Sequence, residues 1–144
     1  MSEYEEAIHE KATRVKALRP EDLTRLFVER ANAKDADGIA ELYEEHAVMA
    51  YPPGQQTVGR EAIRAFWKQA LPHLPRFEPE PPLPTLVSGD IALTSTPPRD
   101  GAGARAQVVR RQPDGCWLRL LDKPEFISVP ADGSPSGERR PAAS

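Results

Sequence analysis

The chain has little cysteine, few aromatic residues and no long apolar run. Its single cysteine, Cys116, excludes a disulfide within the chain and fits a reducing compartment. No apolar run approaches the roughly 20 residues that a membrane-spanning helix needs. The first residues, Met1 to Glu6, lack the basic and apolar regions of a signal peptide. We therefore expect a cytoplasmic protein that does not interact with a membrane.

An excess of positive charge is also missing. The sequence has 19 Lys and Arg against 22 Asp and Glu, which gives a formal net charge of −3 and a pI near 5.7. Proteins that bind nucleic acid normally show a basic stripe, so we expect no nucleic-acid partner. The three histidines and the one cysteine are not spaced as metal ligands, and nothing resembles a phosphate-binding loop. We expect neither a metal nor a cofactor.

Proline is abundant, with 16 residues, and the length of 144 residues suits one domain. Residues 1–19 are interpreted as an N-terminal helix or arm, because apolar groups recur on one helical face at Tyr4, Ile8, Ala12 and Val15. Residues 20–130 are predicted to form the folded domain. Residues 131–144 consist mainly of Pro, Ser, Gly, Ala and Arg, which predicts a disordered tail.

Helical patterns dominate the first half of the domain. A first helix starts at Pro20-Glu21-Asp22, where proline and acidic residues suit the first turn. A second helix is predicted from Asp35 to His46. As a cation at the C-terminus, His46 would be stabilised by the helix dipole. A third follows Gly59, and its apolar positions match a helix at i, i+3, i+4, i+7 and i+8: Ile63, Phe66, Trp67, Ala70 and Leu71.

Strand patterns dominate the second half, after a proline-rich segment at 72–84. The hairpin turn Pro113-Asp114-Gly115 joins two of these strands. Helices followed by a run of antiparallel strands indicate an α+β fold. The predicted strands are Ala47–Tyr51, Thr85–Ser88, Ile91–Ser95, Ala104–Arg111 and Cys116–Leu121.

Several segments together carry a family resemblance over roughly residues 20–127. They are Asn32 to Ile39, Leu42-Tyr43, Ala47-Val48-Met49, Val58 to Trp67, and Val109 to Trp117. The chain resembles the ketosteroid isomerases and the SnoaL-like polyketide cyclases, which belong to the nuclear-transport-factor-like superfamily. The resemblance implies a cone: a curved mixed sheet wrapped around three helices, with an apolar pocket at its open end. Because this fold hosts many activities, it says little about function.

The resemblance also implies that isomerase chemistry is lost. Tyr51 stands where that family has its carboxylate base, and Phe27 stands where it has an oxyanion-stabilising tyrosine. Gln107 replaces a protonated aspartate, and Trp67 replaces a supporting tyrosine. A tyrosine, with an ordinary pKa of about 10, is a poor general base near neutral pH, whereas an amide N–H can still bind a carbonyl oxygen.

Phe27 and Trp67 are interpreted as wall residues rather than chemical ones, because aromatic residues at helical spacing usually belong to the core. Two further residues have two readings each. His73 overhangs the pocket or is a solvated loop histidine. Asp122 is a displaced general base, or it pairs with Lys123 or Arg119.

These residues predict a small-molecule pocket protein. The first hypothesis is a cyclase, isomerase or dehydratase acting on a polyketide-like or terpenoid substrate, with Tyr51, Gln107 and Asp122 as catalytic candidates. Phe27, Phe66, Trp67 and His73 would bind the ligand. The alternatives are a non-catalytic protein that binds an apolar ligand, or a structural dimerisation module with a vestigial pocket. We expect a homodimer formed through the open sheet face, because an uncovered apolar face needs a partner.

Overall fold

Three α-helices and one six-stranded sheet form the fold in the computed structural model, which describes residues 14–99 and 103–126. The helices are α1 (Asp22–Asn32), α2 (Ala36–Ala40) and α3 (Arg60–Ala70), and a 3-10 turn at Leu71–His73 follows α3. The strands are β1 (Tyr43–Met49), β2 (Thr57–Val58), β3 (Leu86–Ser88), β4 (Ile91–Thr96), β5 (Arg105–Arg111) and β6 (Trp117–Lys123). The predicted α+β class is confirmed.

The sheet is mixed, with the strand order β2-β1-β6-β5-β4-β3. All neighbouring strands are antiparallel except β1 and β6, which run parallel. The β5–β6 hairpin turns at Asp114-Gly115, as predicted, and Gly115 supplies the positive φ of 91° that such a turn favours. The helices cover one face of the sheet, and the cavity described below lies between them and that face.

The first and third helices form as their sequence patterns predict. The α1 helix begins directly after Pro20-Glu21, and the α3 helix begins after Gly59. Leu23, Leu26 and Ala31 of α1 and Ile63 and Trp67 of α3 are buried. These residues belong to one core cluster with the inward side chains of the sheet, so apolar spacing located both helices correctly.

The predicted second helix is wrong in its second half. The α2 helix ends at Ala40, and the chain then enters β1 at Tyr43. His46 therefore lies in a strand and is exposed, rather than at a helix end. Leu42 and Tyr43 continue the helical apolar spacing from Ile39, which is why the sequence pattern extended the helix too far.

The N-terminal arm is only partly described. Residues 14–18 form no regular structure, which fits an arm rather than a helix over this stretch, and Val15 is exposed. Ala17 is buried nevertheless, and its carbonyl accepts a hydrogen bond from the Trp117 amide at 2.8 Å. Residues 1–13 and the predicted tail, 131–144, lie outside the described residues.

A β-bulge in β6 determines which side chains reach the interior. In the pairing of β5 with β6, Val109 lies opposite Arg119 and Val108 lies opposite Leu121, which leaves Leu120 without a partner. The extra residue reverses the in–out alternation beyond it. Arg119 and Asp122 consequently point to the same, buried face, although they are three residues apart.

Candidate functional site

A cavity of about 620 Å³ lies between the helices and the inner face of the sheet. Its wall contains a chain of aromatic rings in edge-to-face contact. Ring centroids are 5.7 Å apart for Phe77 and Phe27, 5.3 Å for Phe27 and Trp67, 5.0 Å for Trp67 and Phe66, and 5.5 Å for Phe66 and Tyr51. Such geometry is the favoured arrangement for aromatic pairs, so the wall is both apolar and well defined.

The proline-rich segment supplies one ring of this wall, Phe77. The Asn32 side chain at the end of α1 holds that residue with two backbone contacts: its Nδ2 donates to the Phe77 carbonyl at 2.9 Å, and its Oδ1 accepts from the Phe77 amide at 2.7 Å. Lys34 Nζ donates to the carbonyls of Leu71 and Leu74 at 2.9 and 3.0 Å. The start of the proline-rich segment is therefore fixed against the helices.

A buried polar cluster forms the floor of the cavity. Asp122 Oδ2 accepts a 2.5 Å hydrogen bond from the Tyr43 hydroxyl, and Oδ1 accepts a 3.2 Å bond from Gln107 Nε2. Thr94 donates to Gln107 Oε1 at 2.7 Å, which fixes the orientation of the amide. Arg119 Nη1 lies 3.7 Å from Asp122 Oδ2, and the two side chains form a buried ion pair.

Arg119 is held among aromatic rings as well as by its carboxylate partner. Its guanidinium carbon lies 5.3 Å from the Phe27 ring centroid and 5.8 Å from that of Tyr43, which are cation–π distances. Burial acts to lower the pKa of Arg119, but Asp122 and Tyr43 outweigh it and the pKa is raised. Arg119 therefore keeps its charge inside the protein.

Burial, and secondly the negative charge of Asp122, raise the pKa of the Tyr43 hydroxyl well above its usual range. This hydroxyl is consequently a permanent hydrogen-bond donor near neutral pH and is not itself a base. The cluster thus holds one carboxylate with donors on both oxygens, while Gln107 retains a second amide N–H beyond the one given to Asp122.

The rim of the cavity is charged, and its arginines are partly exposed. Glu80 pairs with Arg105 and lies 3.4 Å from Arg99. Glu125 accepts a hydrogen bond from the Gly103 amide at 2.9 Å, and Glu78 also lines the rim. Polar rim groups around an apolar interior are typical of small-molecule sites.

Six of the seven predicted site residues line this cavity, and His73 does not. The six are Phe27, Tyr51, Phe66, Trp67, Gln107 and Asp122. His73 ends the 3-10 turn and is exposed, although Leu74 and Phe77 beyond it line the cavity. The side chain of Asp122 pairs with Arg119, which is one of the interpretations that the sequence allowed for this residue.

The sequence interpretation missed three residues of the site. The sequence pattern places Tyr43 in a helix, and it suggests Arg119 only as a partner for Asp122. Phe77 lies in the proline-rich segment, for which the sequence predicts no role. Arg119 carried a usable signal, because an arginine within the apolar run Trp117 to Leu121 indicates a buried partner. Tyr43 and Phe77 carried none that distinguished them from ordinary core residues.

Neither a metal site nor a membrane-spanning helix is found within residues 14–99 and 103–126. No group of three or more His, Cys, Asp or Glu side chains there is placed to hold a metal ion. No helix of that part of the chain is long and apolar enough to cross a membrane.

The family model described as a SnoaL-like domain matches residues 24–116. This match covers more than half of the chain, so the protein belongs to the SnoaL-like domain family. The suspected superfamily is thereby confirmed. The sequence has no match among curated proteins.

Solved structures support the same fold. A protein of unknown function from Mycobacterium tuberculosis is 20% identical, with a TM-score of 0.65, over 81% of this chain and 79% of that one. An NTF2-like protein with a cystatin-like fold from Novosphingobium aromaticivorans is 20% identical, with a TM-score of 0.61 over 78% and 82% of the two chains. A ketosteroid isomerase-like protein from Erwinia carotovora is 15% identical, with a TM-score of 0.60 over 75% and 93%. At these identities the similarity defines the fold alone.

Proposed function

We propose that this protein binds a small apolar ring compound, of the polyketide-like or terpenoid kind, in the aromatic-walled cavity. The observation that carries the proposal is the chain of five edge-to-face rings from Phe77 to Tyr51 around a cavity of about 620 Å³. Small-molecule pockets commonly measure about 300–1,000 Å³ and combine apolar walls with a few polar groups. The cluster around Asp122 supplies those polar groups.

Binding is tested by titrating the protein with a set of polycyclic ketones. The Trp117→Phe variant isolates the fluorescence of Trp67, which lies in the cavity wall. We expect quenching that saturates. Removing the Phe66 ring by Phe66→Ala should weaken binding about tenfold or more, since a large apolar contact is lost. Leu18→Ala, an exposed position at 73% outside the cavity, is the matched control and should change nothing.

The absence of quenching by every ring compound, or equal affinities for Phe66→Ala and wild type, would refute the proposal. Mass spectrometry of solvent extracts from freshly purified protein provides an independent check. A ligand that co-purifies unchanged supports binding without turnover.

A second candidate function is catalysis: cyclisation, isomerisation or dehydration with Asp122 as the proton carrier. The observation that favours it is the position of Asp122, a carboxylate that is 5% exposed and lines an apolar cavity beside an amide donor, Gln107. A general base needs such proximity to its substrate. Against this, both oxygens of the carboxylate already accept hydrogen bonds within the protein, from Tyr43 and Gln107, and the Arg119 guanidinium lies 3.7 Å away.

Asp122→Asn separates the two candidates. An enzyme should lose turnover by about 10²–10⁴-fold while it still binds ligand. Tyr51→Phe tests whether the hydroxyl of that residue contributes to turnover as well. A non-catalytic binder converts no bound compound in either variant or in wild type. The structural dimerisation module is the outcome if the chain dimerises but binds no ring compound.

A further inference from the structure

The proline-rich segment between α3 and β3 has a strongly restricted backbone. Every residue from 78 to 84 either is a proline or directly precedes one. Proline fixes its own φ at about −65°, and it disfavours helical backbone angles in the residue before it. Residues 75–85 accordingly form neither helix nor strand. Such a composition favours the extended polyproline II helix, which has three residues per turn.

Side-chain burial in this segment also repeats every three residues. Within residues 75–84, only Phe77 and Glu80 are not exposed. The Phe77 ring lies in the aromatic wall of the cavity, and the Glu80 carboxylate pairs with Arg105. A period of three is that of one edge of a polyproline II helix, so one edge of the segment is attached to the domain.

Backbone and side-chain hydrogen bonds hold the segment along its length. The backbone of Phe77 is fixed by the asparagine at the end of α1, as described above. The Leu83 amide donates to the Ser95 carbonyl at 2.9 Å, and the Thr85 hydroxyl donates to Glu21 at 3.1 Å. A partner that binds this segment would therefore pay little conformational entropy to order it.

The other two edges of the segment point away from these attachments and carry its prolines. Their residues recur every three positions and are exposed: Arg76, Pro79 and Pro82 on one edge, and Pro81 and Pro84 on the other. We call these five residues the proline ridge. None of the five borders the main cavity, so the cavity site leaves the ridge without a role.

We propose that the proline ridge docks a partner protein through a groove that is lined with aromatic side chains and has an acidic residue at the Arg76 end. Aromatic-lined grooves bind Pro-x-x-Pro segments because the polyproline II helix is already formed and presents its rings on adjacent edges. Pro79 and Pro82 have this spacing, and so do Pro81 and Pro84. The exposed guanidinium of Arg76 continues the first edge and selects a negative charge in the groove.

The probe is a purified, ¹⁵N-labelled SH3 domain whose aromatic groove ends in acidic residues, and it is titrated with the unlabelled full chain. SH3 domains read Pro-x-x-Pro segments, so the probe has the chemistry that the proposal assigns to the partner. We expect the amide resonances of its groove to shift and to saturate, with a Kd on the order of 100 µM or tighter.

Variants of the ridge test which side chains are read. Pro79→Ala combined with Pro82→Ala should weaken binding about tenfold or more, because both rings of one edge are lost. Pro113→Ala alters an exposed proline in the β5–β6 turn and should change nothing. Arg76→Glu should also weaken binding, whereas Lys68→Glu makes the same charge change on α3 and should not. Arg76→Glu keeps the test informative if the double proline variant fails to fold.

A synthetic peptide of residues 74–86 separates the ridge in the folded protein from its bare sequence. The full chain should bind the probe at least as tightly as the peptide does. Binding of the peptide but not of the full chain would overturn the proposal, because the ridge would then be inaccessible. Equal affinities for the double proline variant and the wild type, or no binding at all, would overturn it too. A changed sedimentation of the double variant alone would mean that the prolines contact a second copy of the chain, and would overturn the proposal of a separate partner.

Discussion

The Tyr43 hydroxyl donates a 2.5 Å hydrogen bond to Oδ2 of Asp122 and ties the start of β1 to the end of β6. Tyr43 is fully buried, and Asp122 is 5% exposed, so the bond is shielded from bulk water. The bond therefore serves two purposes. It stabilises the pairing of the only parallel strands in the described sheet, and it fixes the carboxylate at the floor of the cavity.

Tyr43→Phe should destabilise the fold without changing its shape. The substitution leaves a buried carboxylate oxygen with one donor fewer, and hydrogen bonds to charged groups contribute about 1.5–3 kcal/mol. We expect a loss of that size in the free energy of unfolding, measured by urea denaturation. Tyr51→Phe removes a hydroxyl from a half-buried ring and is the control, with an expected change below about 0.5 kcal/mol. Equal losses in the two variants would contradict a special role for the Tyr43 bond.

Cys116 should be nearly inert in the folded protein. Burial, and secondly a contact with Asp114, raise the pKa of its thiol from 9.0 to about 11. At pH 8 this shift lowers the thiolate fraction about 100-fold, and the thiolate is the reactive form. Alkylation with iodoacetamide at pH 8 should thus be at least about 100-fold slower in the folded than in the urea-unfolded chain.

Asp114→Asn removes the negative charge beside Cys116, so the pKa of the thiol should fall and alkylation of the folded protein should accelerate. Asp90→Asn alters an exposed turn aspartate that pairs with Arg111, and it should leave the rate unchanged. Alkylation of the native wild type as fast as that of the unfolded chain would contradict the prediction.

We predict a homodimer formed through the outer face of the sheet. One apolar residue from each strand lies in a row across all six strands, as the pairing register shows: Leu86, Leu93, Val108, Leu121, Val48 and Val58. Leu86 is 66% exposed and Val58 is 60% exposed, although both are apolar. A continuous exposed apolar row of this kind is typical of an interaction surface.

Sedimentation at micromolar concentration measures the assembly. Leu93→Glu places a charge in the centre of the row and should give monomers, whereas Lys68→Glu on the exposed side of α3 should not. A wild type that sediments as a monomer of about 16 kDa would refute the prediction, since 15.9 kDa is the mass of one chain.

Apolar periodicity and turn residues were sufficient to predict most of the fold. The α3 helix follows its spacing from Ile63 to Trp67, and the β5–β6 hairpin follows Asp114-Gly115. Both signals come from residues that are close together in the sequence, so the helix and the hairpin can be predicted without knowledge of the tertiary structure. The start of β1 was missed because Tyr43 sits on a spacing that a helix and a strand share for a few residues.

The candidate site depends on longer-range geometry. Strict alternation along β6 would place Asp122 on the opposite face from Arg119, because the two residues are three positions apart. The bulge at Leu120 reverses this, and no residue in that stretch, such as a glycine, indicates a bulge. The ion pair at the floor of the cavity could therefore be proposed from the sequence but not distinguished from a pair with Lys123.

Finally, this protein should not isomerise a β,γ-unsaturated ketosteroid. Phe27 stands where a phenol donor would be expected, and its ring packs against Arg119 and Trp67. The one candidate base in the cavity floor, Asp122, already accepts hydrogen bonds from Tyr43 and Gln107 on its two oxygens and lies 3.7 Å from the Arg119 guanidinium, so its oxygens are engaged within the protein rather than free to take a proton from a substrate. Without an effective base, a loss of about 10²–10⁴-fold is expected.

The measurement is the ultraviolet absorbance of the conjugated product, with buffer alone as the reference. Phe27→Tyr restores the phenol but not the base, and it should remain inactive for that reason. Turnover of the steroid by wild type well above the buffer rate would contradict the prediction. Loss of that turnover in Asp122→Asn would then identify Asp122 as the base, despite its three polar neighbours.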